Sequence, residues 1–148
     1  MTKFSRPLTI LLAEDNLDHA ELIIDSLREF NIANEVVHVT NGEDVLAYLH
    51  HEPPFDLSTI CNPDLILLDL KMPRLDGVST LREIRANEEF RSIPVIMVST
   101  SSIEKEINTC FQLGANSYIT KPLQFEDFTR KIKDLNLYWI LVSELPQR

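Results

Sequence analysis

The stretch that most constrains this chain runs from Pro63 to Gly77, Pro-Asp-Leu-Ile-Leu-Leu-Asp-Leu-Lys-Met-Pro-Arg-Leu-Asp-Gly. Leu65 to Leu68 form an unbroken apolar run too short for a helix, stopped by the carboxylate of Asp69, with Pro73 and Gly77 soon after. A short run of this kind, apolar on both faces, reads as a buried parallel strand that delivers Asp69 to its C-terminal edge, where open α/β sheets bind their ligands. A carboxylate that only caps the next turn is the plainer alternative, and the rest of the chain decides between them.

The 148 residues suffice for one core and are expected to form a single domain over 1–148. Cys61 and Cys110 lie in or beside apolar runs without metal-ligand spacing, as reduced thiols of a cytoplasmic protein would. No run is long enough to span a membrane and the N-terminus is short and polar, so no membrane association is expected. Against 23 Asp and Glu stand only 14 scattered Lys and Arg, a net charge of -9. That balance disfavours direct nucleic-acid binding, which rests on phosphate neutralisation, and suits metal cations and protein partners.

The pattern of strand, loop and helix recurs along the chain. Leu8 to Ala13 is a first buried strand stopped by Glu14-Asp15-Asn16; Ala20, Ile23, Ile24, Leu27 and Phe30 then step at helical spacing. Glu35 to Val39 is a second strand, and Asn41-Gly42 turns into a helix that buries Val45, Leu46 and Leu49. His50-His51 ends it as a solvated pair rather than a metal site, since adjacent helical residues do not face one another. A long loop over residues 52–62 leads to the Pro63 stretch, after which Val78, Leu81 and Ile84 mark a helix.

Val95 to Val98 is a fourth strand, ending in Ser99, Thr100, Ser101 and Ser102, any of which would cap the following helix. That helix is expected to bury Ile103, Ile107, Cys110 and Phe111 and to stop at Gly114. Ser117 to Thr120 is a short fifth strand that runs into Lys121-Pro122, and a final helix starts near Gln124. From Leu135 to Val142 only Asn136 is polar, so Leu137, Tyr138, Ile140 and Leu141 need a second surface; a homodimer contact is the expectation.

Five such repeats predict an α/β flavodoxin-like (βα)5 doubly wound parallel sheet of strand order 2-1-3-4-5, with an extended C-terminal helix. The core covers about 8–135, with 136–148 as extension and tail. In that order Glu14, Asp15 and Asp69 meet at the switch point between strands one and three, with Ser99 and Lys121 beside them. Three carboxylates in one cleft call for a hard cation such as Mg2+. A cation, an ammonium and a hydroxyl around Asp69 suit a phosphoryl group, with Asp69 as the attacking nucleophile.

Taken together, Glu14-Asp15-Asn16, Asp69 through Gly77, Val98-Ser99 and Tyr118 through Pro122 resemble the signature of a two-component response-regulator receiver domain. The resemblance implies that Asp69 is the phosphoacceptor and that Asp15, Asp69 and the Lys71 backbone carbonyl bind Mg2+, with Glu14 helping through water. It further implies that Ser99 senses the phosphoryl group, Lys121 pairs with it, Tyr118 is an aromatic switch, and the Lys121-Pro122 bond is cis. Glu14 stands where the family usually has Asp, and Thr100 where it has Ala or Gly. The tail from Leu137 to Pro146 resembles the small response regulators that partner bacterial phytochromes, which implies a phytochrome-type sensor histidine kinase, a homodimer, and no output domain after the last helix.

Three competitors follow. A phosphatase of the haloacid-dehalogenase type needs an Asp two residues after its nucleophile, where this chain has Lys71. An inert receiver would not keep Asp15, Asp69 and Lys121. A shuttle that passes its phosphoryl group to a histidine phosphotransfer protein is compatible with every motif above.

Overall fold

A computed structural model describes residues 9–29, 35–57, 60–121 and 130. Five strands, β1 (Thr9–Ala13), β2 (Glu35–Val39), β3 (Leu65–Leu68), β4 (Val95–Ser99) and β5 (Ser117–Thr120), alternate with α1 (Leu17–Glu29), α2 (Gly42–Leu49), α3 (Gly77–Ala86) and α4 (Glu104–Gln112). All pairings are parallel, in the order β2-β1-β3-β4-β5. This is the expected doubly wound sheet, and β1 and β3 are the neighbours at its switch point.

Strand alternation divides the core between the two faces. Ile10 and Leu12 of β1, Leu67 of β3 and Ile96 and Val98 of β4 pack on Ala20, Ile23 and Leu27 of α1. Leu11, Ala13, Ile66, Leu68, Val95 and Met97 face the other way, onto Val45, Tyr48 and Leu49 of α2, Leu81 and Ile84 of α3, and Cys110 of α4. A sheet covered on both sides needs central strands apolar at every position, which is why the Leu65–Leu68 run lacks alternation.

The helix starts that face the strand ends are fixed by side chains. Asn41 caps α2 by accepting from Asp44 N–H at 2.8 Å, and Asp76 caps α3 by accepting from Ser79 N–H at 2.8 Å. Gly42 N–H donates to the Leu75 carbonyl at 3.0 Å, and a Cβ there would stand 2.3 Å from that oxygen, so only glycine lets α2 dock on the loop after β3.

The fourth helix departs from expectation. Its N-cap is Ile103, with no side-chain cap bond, so none of the four hydroxyls caps it directly. Ser99 ends β4, and Ser101 Oγ accepts from Ile103 N–H at 3.3 Å. Only Cys110 of the expected apolar set is fully buried: Ile107 is half-buried, while Ile103 and Phe111 are 57% and 47% exposed. Ile103 precedes the first helical turn, and Phe111, one residue beyond Cys110, is rotated about 100° away from it. His50 and His51 are exposed as expected, the His50 ring meeting Phe90 edge-on at 5.1 Å. Leu8, Phe30, Pro122 with its expected cis bond, the final helix apart from Arg130, and Leu137, Tyr138, Ile140 and Leu141 lie outside the described residues.

Candidate functional site

The C-terminal edge of the sheet carries the predicted residues, and the sheet's own ladder places them. Glu14 N–H donates to the Val39 carbonyl at 3.0 Å, Asp69 N–H to Ala13 at 3.1 Å and Lys121 N–H to Ser99 at 2.7 Å. Each bond extends a strand pairing by one residue, so three side chains distant in sequence start from fixed backbone positions. On the far side of Asp69 the first turn of α3 packs so closely that a Cβ on Gly77 would stand 2.1 Å from the Asp69 carbonyl oxygen. Gly77 N–H also donates to the Leu70 carbonyl at 2.7 Å, clamping the loop that leaves the strand.

One carboxylate oxygen from each of Glu14, Asp15 and Asp69 lies within 4.8 Å of the other two. Glu14 and Asp69 are buried and Asp15 is exposed at the rim. The Lys121 ammonium, itself buried, makes ion pairs with Glu14 Oε1 and, at 3.2 Å, with Asp69 Oδ2. Asp69 Oδ1 accepts from Leu70 N–H at 2.7 Å. Glu14 Oε2 accepts from Asn16 N–H at 3.1 Å.

The charges are not balanced. Burial pushes the Glu14 carboxyl up to about 7; the Lys121 hydrogen bond opposes the rise, and the nearby Asp69 carboxylate adds to it. A divalent cation with oxygen ligands fits such a place: three hard carboxylate oxygens stand within reach of one ion, and its charge would offset their mutual repulsion. Lys71, whose carbonyl was expected to complete the set, lies exposed on the loop two residues beyond Asp69.

A second group lies beside the cleft. Ser99 is buried, and its Oγ accepts from Ser101 N–H at 3.2 Å. The carbonyl of the same Ser101 accepts from the Tyr118 hydroxyl at 2.8 Å, and its side chain donates to Glu106. Ser101 therefore links the buried Ser99 hydroxyl, through its N–H, to a half-buried tyrosine on β5, through its carbonyl. Burial raises the Tyr118 hydroxyl above its ordinary range, so it is a hydrogen-bond donor at neutral pH.

Three site residues escaped the sequence reading. His19, in the first turn of α1, brings Nδ1 to 3.1 Å from the Lys121 ammonium. His38 Nε2 lies 2.7 Å from the Glu14 carbonyl oxygen and fixes that backbone from β2. Ser101, one of four hydroxyls suited to capping, is instead the link just described. The apolar pattern holds no signal for His38, whereas His19 had one: the helix that follows a strand end opens over the cleft, so its first-turn side chains are candidates for it.

A doubly wound sheet whose switch point gathers three carboxylates and an ammonium defines a receiver-type α/β protein. The model of the response regulator receiver domain matches residues 10–133, and the chain belongs to that family. Among relatives, the response regulator Rcp1 of Synechocystis is 31% identical over 140 residues, 95% of this chain and 94% of that protein. A probable methanogenesis regulatory protein, FilR2 of Methanothrix harundinacea, is 34% identical over 90% of this chain and 84% of its own length. The phosphorylated cyanobacterial phytochrome response regulator RcpA superposes with a TM-score of 0.87 at 34% identity, covering 96% of this chain and all of that one. Rcp1 has also been crystallised with Mn2+ bound. Receiver domains are signalling modules that are phosphorylated on an aspartate, bind Mg2+ or Mn2+ at an acidic pocket and interact with histidine kinases. No described helix is long and apolar enough to cross a membrane.

Proposed function

We propose that Asp69 is the phosphoacceptor of this receiver domain and takes its phosphoryl group from a phosphohistidine of a sensor histidine kinase in a Mg2+-dependent reaction in the cytoplasm. The observation that carries the reading is the Lys121 ammonium held at 3.2 Å from Asp69 Oδ2 inside a cleft walled by Glu14 and Asp15. An Asp69 carboxylate oxygen forms a bond to phosphorus while the donor's phosphorus–nitrogen bond breaks, its electron pair remaining on the imidazole; the product is an acyl phosphate. Glu14, Asp15, Asp69 and the Lys71 carbonyl would hold Mg2+, which supplies positive charge to the transferring oxygens. Lys121, ion-paired with Glu14 and Asp69, supplies a second positive charge. The chain's chemistry is confined to gaining and losing this group.

Output runs through Ser99. Drawing its hydroxyl toward the phosphoryl oxygens removes the acceptor of Ser101 N–H, and the residue so released is the one whose carbonyl holds Tyr118. The ring is then released to turn inward, changing the surface between α4 and β5. Similarity to RcpA, a phytochrome response regulator, supports a phytochrome-type kinase as donor. Incubation with acetyl phosphate and Mg2+, followed by a phosphate-retarding gel, is expected to shift the wild type and leave Asp69→Asn unshifted; equal shifts would remove Asp69 from the role. The apolar surplus at Leu137, Tyr138, Ile140 and Leu141 supports a homodimer, so light scattering is expected to give twice the chain mass, and a monomer with and without phosphodonor would refute it.

A further inference from the structure

A lysine ammonium has three N–H donors and no acceptor. At Lys121 all three are matched: Glu14 Oε1, Asp69 Oδ2 at 3.2 Å and His19 Nδ1 at 3.1 Å. The two carboxylates belong to the acidic cleft. The imidazole arrives from α1, and no motif required it.

We infer that His19 is a positioning residue that occupies, on the Lys121 ammonium, the place a phosphoryl oxygen takes when Asp69 is modified. The inference rests on Asp69 being the phosphoacceptor. The ammonium has no fourth proton, so pairing with a phosphoryl oxygen requires it to release one of its three acceptors. Charge selects which one. The bond to the Glu14 carboxylate joins two opposite full charges and is stronger than one from the same ammonium to a neutral ring. The ring is neutral in this contact, because an Nδ1 that faces an ammonium carries no proton.

Burial selects the same group. Glu14 is 1% exposed, so its carboxylate, once released, would be stranded in the cleft, and the modified Asp69 stays anchored by Leu70 N–H, whereas half-buried His19 meets water by a side-chain rotation. The backbone of His19 need not move: its N–H is held at 3.0 Å by Asn16 Oδ1, which supplies the first-turn cap without the imidazole. His19 thus keeps the third donor of Lys121 occupied until a phosphoryl oxygen displaces it, and weakens the site's hold on that group by the bond it must lose.

Beryllofluoride, a tetrahedral phosphoryl mimic, titrated calorimetrically into the full chain in saturating Mg2+ tests this. Loss of one neutral competitor predicts that His19→Ala binds about fivefold more tightly than wild type. His19→Asn, whose side-chain carbonyl puts an acceptor near the position of Nδ1, is expected to return to the wild-type affinity. A general loosening of α1 would move both variants alike and would weaken binding. In the wild type itself, the 15N resonance of His19 Nδ1 is expected to shift when beryllofluoride is added, a readout that needs no variant to fold. Equal or weaker binding by His19→Ala, identical behaviour of Ala and Asn, or an unmoved Nδ1 resonance would overturn the inference. Failure of the wild type to bind beryllofluoride would instead overturn the phosphoacceptor reading beneath it.

Discussion

The two edges of the sheet solve opposite problems with the same kinds of group. At the N-terminal edge, Asp64 grips the start of β1 twice, its Oδ2 accepting from Thr9 N–H at 3.0 Å and its N–H donating to the Thr9 carbonyl at 2.8 Å. Arg85, on the last turn of α3, spreads its guanidinium over the Gly114 and Ile93 carbonyls at 2.9 Å each and Asn116 Oδ1 at 2.8 Å. Asn116 Oδ1 also accepts from Val95 N–H at 2.9 Å, so this one cluster fastens the starts of β4 and β5. Burial lowers the Arg85 pKa, but guanidinium starts so high that it stays charged.

The C-terminal edge has no such settlement. Three carboxylates crowd together, only Glu14 and Asp69 of them paired with the Lys121 ammonium, and Glu14 is left with a pKa near 7. Polar groups buried with neutral, well-aimed partners hold a fold together, whereas charges crowded beyond their partners keep a site ready for a ligand of opposite sign. The comparison predicts that substitutions at the two edges fall into separate classes, one losing chemistry and one losing stability.

The largest separation is expected at Asp69. Asp69→Asn should abolish phosphoryl labelling while leaving the urea midpoint equal to or above the wild type, because it removes one of three crowded negative charges and keeps an oxygen for Leu70 N–H. A large fall in the midpoint would mean that this carboxylate serves folding after all. At the opposite edge, Arg85→Ala removes three hydrogen bonds from a charged donor and should cost about 3 kcal/mol in urea unfolding. Its labelling per folded molecule should match the wild type. Loss of labelling in the folded variant would show that the edges are coupled.

The same contrast explains what could be read from the chain before its fold was known. Every strand announced itself, the central ones because a strand covered on both faces must be apolar, and the abrupt stops at Glu14, Asp69, Ser99 and Lys121 marked the functional edge. Strand order followed from the flavodoxin-like form of the doubly wound sheet. Partners away from those strand ends were harder to read: Arg85 stands in sequence as an ordinary basic residue near a helix end and His38 as a strand residue, while His19 was marked only by its place in the first turn after β1. The fourth helix misled for a related reason. Ile103, Ile107 and Phe111 recur every four residues, but Ile103 precedes the first turn, and against 3.6 residues per turn the spacing drifts about 40° from Ile107 to Phe111, off the stripe centred on Cys110.

The smallest effect, and the one that sharpens the contrast most, concerns pH at Glu14. Its carboxyl lies near 7 in the folded chain against 4.5 unfolded, so the folded state binds the proton more tightly. The stabilising contribution of protonated Glu14 is therefore complete below about 4.5 and is lost as pH rises through about 7, and the metal-free protein should lose stability across that window. Mg2+ prefers the ionised carboxylate and should compete with the proton, so its affinity should rise about tenfold between pH 6 and pH 8, with most of the gain below neutrality. In Glu14→Gln, which has no proton to lose, both trends should flatten. If calorimetry finds the same slope in that variant, the titrating group is another member of the cleft and the tension assigned to Glu14 belongs there. The N-terminal edge supplies the internal control, since Arg85 does not titrate in this range and Arg85→Ala should shift the stability curve downward without changing its shape.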